Sequence, residues 1–142
     1  DSMPLAVIKY TTIGGVTDTS IVEKSNFKGI AQSFVNPDIG SSIFKNQYKE
    51  ESFIDATLGT ITLTYTATND TVEVRKTDVL LNQDDTKVKT IYIEKKISEA
   101  DSLVIKKMLW TTNRYCQITT LLQKQDTPEK IIMEKYVWDD LN

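Results

Sequence analysis

A chain of 142 residues, 39% hydrophobic and 26% charged, is long enough to bury one core and too short for two domains of ordinary size. Its formal net charge of -3 leaves no basic surplus to neutralise a phosphate backbone or an anionic bilayer, which argues against a nucleic-acid or membrane partner. Histidine is absent and Cys116 is the only cysteine, which excludes Ser-His and Cys-His nucleophile pairs, the usual zinc ligand sets and any internal disulfide.

The lone thiol fits a reducing compartment such as the cytoplasm. Asp1 and Ser2 read as residues appended ahead of a natural start at Met3, and no apolar run approaches the length that crosses a bilayer. A signal segment already removed would leave no trace here. One soluble domain over residues 1–142 is the expectation.

In the first third, Leu5 to Thr12, Phe27 to Val35 and Ile43 to Tyr48 read as strands, with Gly14-Gly15 and Asn36-Pro37-Asp38-Ile39-Gly40 as loops. Ser20-Ile21-Val22-Glu23 has the spacing of a capping box and predicts a short helix near residues 18–26. From Leu58 to Thr68 the pattern is cleaner: Ile61, Leu63, Tyr65 and Ala67 alternate with threonines in period two, the signature of a strand with one face buried.

Asn69-Asp70 and Gln83-Asp84-Asp85 read as turns leading into Val72–Val74 and into Val88–Ile97. Further turns at Ser98 to Asp101 and Thr111-Thr112-Asn113 bracket strands Leu103–Trp110 and Tyr115–Lys124. Asn69-Asp70-Thr71 also has glycosylation spacing, but the turn reading is preferred. For Glu129 to Trp138 two readings compete. Thr127-Pro128-Glu129 suits a helix N-terminus, yet Pro128 equally suits the second position of a type I hairpin turn, and the strand is preferred.

About nine strands result, and nineteen threonines among many Ile, Val and Tyr support an all-β chain. Consecutive strands of this length joined by short loops predict an antiparallel up-and-down meander closing into a barrel, because closure disposes of exposed edges. A two-layer β-sandwich made by one strongly bent sheet is the alternative.

Chemistry-bearing residues are sparse. No glycine pattern cradles a phosphate. The acidic pairs Glu50-Glu51, Asp84-Asp85 and Asp139-Asp140 read as solvated rim charge, since neighbours on a strand point to opposite faces and the spacing of a calcium loop is missing. Cys116 falls on the face of Ile118 and Leu122, where an inert buried thiol belongs. Among fifteen lysines stand only two arginines, Arg75 and Arg114. By alternation Arg114 points toward the apolar side of its strand, where a guanidinium fork can hold an anionic head group; a strand-end arginine reaching water is the plainer account.

Strands around Val88–Ile97 and Leu103–Trp110 carry mixed faces. Ile91, Ile93, Lys95 and Ile97 share one side, as do Val104, Lys106, Met108 and Trp110. A barrel with a partly polar interior reads this way, and so does an oligomer contact. Trp110, Tyr115, Tyr136 and Trp138 gather toward the C-terminal strands, as a ligand mouth or as ordinary core.

This pattern resembles, in architecture, the calycin group of lipocalins and fatty-acid-binding proteins, although the Gly-x-Trp of classical lipocalins is missing. A second likeness is to S-type phycobiliprotein lyases, through Lys28-Gly29, Pro37-Asp38-x-Gly40, Leu109-Trp110, Asn113 and Thr119-Thr120-Leu121-Leu122. The arginine-rich strand of that family is reduced here to Arg114 with Gln117.

The reading of the residues leads to the expectation of a non-enzymatic barrel that binds a small, largely apolar or anionic molecule, with Arg114 as anion partner and Trp110, Tyr92 and Tyr115 as wall residues. No metal or tightly held cofactor is expected; a tetrapyrrole is the ligand that the second likeness implies. A protein-protein interaction module or homodimer is the alternative partner reading, and a bilin-binding lyase or chaperone the third.

Overall fold

The computed structural model describes residues 6–35 and 47–138. The predicted strand at Ile43–Tyr48, the loop at residues 36–40 and the pair Asp139-Asp140 lie wholly or largely outside these residues.

Nine strands and one helix follow one another as β1 (Val7–Ile13), β2 (Val16–Val22), α1 (Lys24–Gln32), β3 (Tyr48–Asp55), β4 (Thr60–Ala67), β5 (Val74–Asn82), β6 (Val88–Ser98), β7 (Ser102–Thr111), β8 (Tyr115–Lys124) and β9 (Lys130–Val137). All nine strands form one antiparallel sheet in the order β2-β1-β9-β8-β7-β6-β5-β4-β3. From β3 to β9 it is an uninterrupted meander, and β1 adds to β9 to bring β2 to the far edge. The all-β meander read from the sequence is therefore present. The two edges, β2 and β3, are not hydrogen-bonded to each other.

Local chemistry sets the turns. Ile13 pairs with Val16, so Gly14 and Gly15 alone make the β1–β2 turn, both at positive φ (57° and 80°). Positive φ at both central residues defines the type I′ hairpin turn, which glycine enters without a Cβ penalty. Between β7 and β8, Asn113 takes the left-handed position (φ 64°) of a three-residue loop closed by Arg114 N–H to Thr111 C=O at 3.1 Å. Between β8 and β9, Thr127 N–H bonds Lys124 C=O, so Pro128 sits just past the turn rather than at its second position.

Two expectations for the first third are corrected. Ser20, Ile21 and Val22 belong to β2, with Ser20 opposite Lys9 and Ile21 opposite Ile8. Glu23 then serves as N-cap, without a side-chain capping bond. The helix thus runs over 24–32 rather than 18–26, and the strand expected at Phe27–Val35 is largely this helix. Phe27, Ile30, Ala31 and Phe34 recur at i, i+3, i+4 and i+7, the helical period. Burial of this helical face outweighs local strand propensity in Phe27, Ile30 and Phe34. Strand β3 was not anticipated, since its charges at Lys49, Glu50 and Glu51 resemble a loop.

One face of the sheet carries the core. Val7, Phe27, Phe34, Ile93, Met108, Cys116 and Tyr136 are nearly inaccessible, with Val74, Ile91, Ile118, Trp110 and Trp138 packed against them. This single cluster draws on strands from β5 round to β1. Laid flat, β5 and β1 are five strand spacings apart, about 24 Å at the usual separation. A nine-residue helix is only about 14 Å long. The sheet therefore curves around α1, and the core lies on its concave face.

Candidate functional site

The concave face has two regions. At the end nearer the β7–β8 turn, α1 supplies the filling. Phe27 is 2% exposed and its ring lies 4.9 Å from that of Trp138 and 6.4 Å from that of Trp110. Phe34 reaches Trp110 at 5.4 Å, and the two tryptophans stand 4.9 Å apart. Offset and tilted rings at these distances are favourable aromatic pairs. Trp110 is thus occupied by the protein's own aromatic side chains.

Toward the other end, the face becomes polar in steps fixed by strand register. Thr77 lies opposite Ile93, Ile93 opposite Met108, Met108 opposite Ile118 and Ile118 opposite Glu134. One step further along the strands, Val74 faces Lys95, Lys95 faces Lys106 and Lys106 faces Thr120. Lys95, Lys106, Thr120 and Glu134 are all partly exposed. Glu134 is held: Lys9 Nζ lies 3.0 Å from Glu134 Oε2 and 5.5 Å from the centre of the Tyr136 ring. That hydrogen bond raises the Lys9 pKa above its ordinary value against the opposing effect of burial. Burial and the Glu134 charge likewise raise Tyr136.

Neither Lys95 nor Lys106 forms an ion pair among the described residues. The Thr77 hydroxyl, on a residue only 7% exposed, has no hydrogen-bond partner there. Tyr48 closes this end from β3, its hydroxyl donating to Val74 C=O at 2.8 Å.

The four residues proposed from the sequence do not converge. Trp110 alone is on the concave face. Arg114 is exposed in the β7–β8 turn, where its C=O accepts from Trp138 N–H at 3.2 Å. It precedes the strand, so the alternation that brings Cys116, Ile118, Thr120 and Leu122 onto one face does not extend to its side chain. Tyr92 and Tyr115 point to the convex face. Tyr92 Oη donates to Glu94 Oε2 at 3.1 Å, and burial together with Glu94 pushes its pKa up to about 12. Tyr115 lies beneath Lys135, whose Nζ is 4.6 Å from the ring centre.

Other candidates resolve as structural. Cys116 is inaccessible, and burial pushes its thiol up to about 12, the opposite of what a nucleophile needs. Arg75 binds its own loop, reaching Asp70 Oδ1 and Val72 C=O, each at 3.2 Å. That leaves the 470 Å³ cleft it lines beside Asp70–Glu73 and Lys96–Ser98 without a free guanidinium. Glu50 and Glu51 do take opposite faces, Glu50 accepting from Tyr65 Oη at 2.9 Å. Asp85 accepts from Lys87 N–H at 2.9 Å, a bond that lowers its pKa. Among the described residues no cluster of three or more His, Cys, Asp or Glu is placed to hold a metal ion, and no helix is long and apolar enough to cross a membrane.

Compared with known protein families, with curated proteins and with solved structures, the chain matches none. The class is thus set by its own geometry: a single curled β-sheet that wraps one amphipathic helix.

Proposed function

We propose that the protein is a non-enzymatic binding domain, an incompletely closed β-barrel that holds a small, largely apolar molecule on the part of its concave face beyond α1. The observation that carries this reading is the change of character along that face. Phe27 and Phe34 are buried against Trp110 and Trp138, whereas past Ile93 and Met108 the same face continues into the partly exposed Lys95, Lys106 and Thr120. A fold that needed only a core would gain nothing from polar groups on its inner face, while binding sites join an apolar wall to a few placed polar groups. Amide NMR titration with a panel of amphiphiles tests it. Shifts concentrated at Thr77, Ile93, Met108 and Ile118 support the reading, and shifts confined to the convex face, or none at all, overturn it.

One observation favours a second reading, self-association through β2. The two sheet edges are guarded unequally: β3 carries Lys49, Glu50, Glu51 and Asp55, but β2 only Asp18. Uncharged, exposed edges are templates for another strand. Antiparallel pairing of β2 with its own copy about Thr19 sets Val16 opposite Val22, Thr17 opposite Ile21 and Asp18 opposite Ser20, so no like charges meet. Light scattering of the wild type and of Thr19→Lys, which juxtaposes two ammonium groups at that axis, decides it. A dimer mass that falls to the monomer in the variant supports pairing; a monomeric wild type ends it.

A further inference from the structure

The geometry points to an anion-binding subsite at Lys95, Lys106 and Thr77, so that the molecule taken on the concave face is an amphiphile with a carboxylate head. This inference rests on the binding reading above and names its ligand class.

Lys95 and Lys106 are directly opposed on neighbouring strands, which sets their Cβ atoms about 5 Å apart. Like charges so placed destabilise a sheet, and among the described residues no carboxylate neutralises either one. The acids on the same face are engaged: Glu134 with Lys9 at 3.0 Å and Glu50 with Tyr65 at 2.9 Å. Thr77 supplies an independent observation. Its hydroxyl is buried without a partner, a condition that costs free energy until an acceptor arrives. Register places it opposite Ile93 and diagonal to Lys95, about 7 Å away between backbones and closer between side chains. Register thus sets two ammonium-bearing side chains and one hydroxyl donor on the same face, next to the fully packed Ile93 and Met108. A carboxylate satisfies both needs, one oxygen bridging the lysines and the other accepting from Thr77, while its chain lies along the partly exposed Ile97, Val104 and Leu122, which follow on the same face. Arg114, the arginine singled out from the sequence, is exposed in the β7–β8 turn at the other end of the sheet and takes no part.

Calorimetric titration with laurate, dodecanol and acetate tests the assignment in the wild type, in Lys95→Gln/Lys106→Gln and in Thr77→Val. Laurate is expected to bind at least tenfold more tightly than dodecanol, as a charge-assisted bond implies. That preference disappears in the lysine variant while dodecanol affinity is unchanged. Thr77→Val is expected to lose part of the laurate preference and yet melt at a higher temperature, a combination that misfolding does not produce. Acetate binding as tight as laurate overturns the amphiphile class. Equal binding of laurate and dodecanol, untouched by the variants, overturns the subsite and leaves the binding reading standing. Binding of none of the three overturns both.

Discussion

Replacing Phe27 with alanine removes the side chain that locks α1 onto the sheet. Phe27 is 2% exposed and packs between Trp110 and Trp138. Truncating a buried phenylalanine costs about 3–5 kcal/mol, transfer and cavity together, and loss of two aromatic contacts places this site toward the upper end. A domain of this size has about 5–15 kcal/mol in all. Phe27→Ala is thus expected to lose about 4 kcal/mol in urea unfolding and about 12 °C in Tm. The chain's two tryptophans are both in this cluster, so intrinsic fluorescence reports on helix docking without a label, and the folded variant should emit at longer wavelength. A loss below about 1 kcal/mol with unchanged emission would refute the docking of α1 on the concave face.

Gly14→Ala places a Cβ at φ 57° where nothing lies within 4 Å. The cost is therefore backbone strain, about 1 kcal/mol, and Gly14→Asn should largely escape it in the same thermal melts. For the inner ion pair, Lys9 titrates above its ordinary 10.5 when folded. A raised pKa contributes stability that is fully present below the unfolded value and lost as pH rises beyond it. Glu134→Gln should accordingly cost up to about 1 kcal/mol for this half-exposed pair from pH 6 to 9, with the gap from wild type closing above pH 10.5 in denaturant titrations. Cys116, raised by burial from 9.0 to about 12, obeys the same sign: stability declines as pH climbs from 9 toward 12. At pH 8 the native thiol should resist an aromatic disulfide reagent that consumes it at once in urea, and rapid native labelling would contradict its burial.

The sequence carried more of the sheet than of the site. From Leu58 onward, the period of two in β4 and the turn residues between the later strands mark each strand to within a few residues, because tight turns and a half-buried strand write themselves directly into the chain. Glu129–Trp138 holds the preferred strand rather than a helix, and Ile132, Glu134 and Tyr136 alternate with Met133, Lys135 and Val137 across its faces. In the first third the signal was mixed. Ser20 to Glu23 mimics a capping box but closes a strand, and Phe27 to Phe34 holds a helical period read as extended. As for the site, the mixed faces of Ile93 with Lys95 and of Lys106 with Met108 were visible. Their opposition across the β6–β7 ladder depends on register, which one residue of slip would have reversed. The Thr77 hydroxyl gave no signal, as its burial comes from tertiary packing.

The central claim is that the concave face beyond α1 takes up a small molecule, and native mass spectrometry of gently purified protein beside a denatured control tests it most directly. The account predicts a monomer carrying an excess of a few hundred daltons that disappears on denaturation, released as a carboxylate amphiphile. A bare monomer mass that stays bare after incubation with laurate would contradict it.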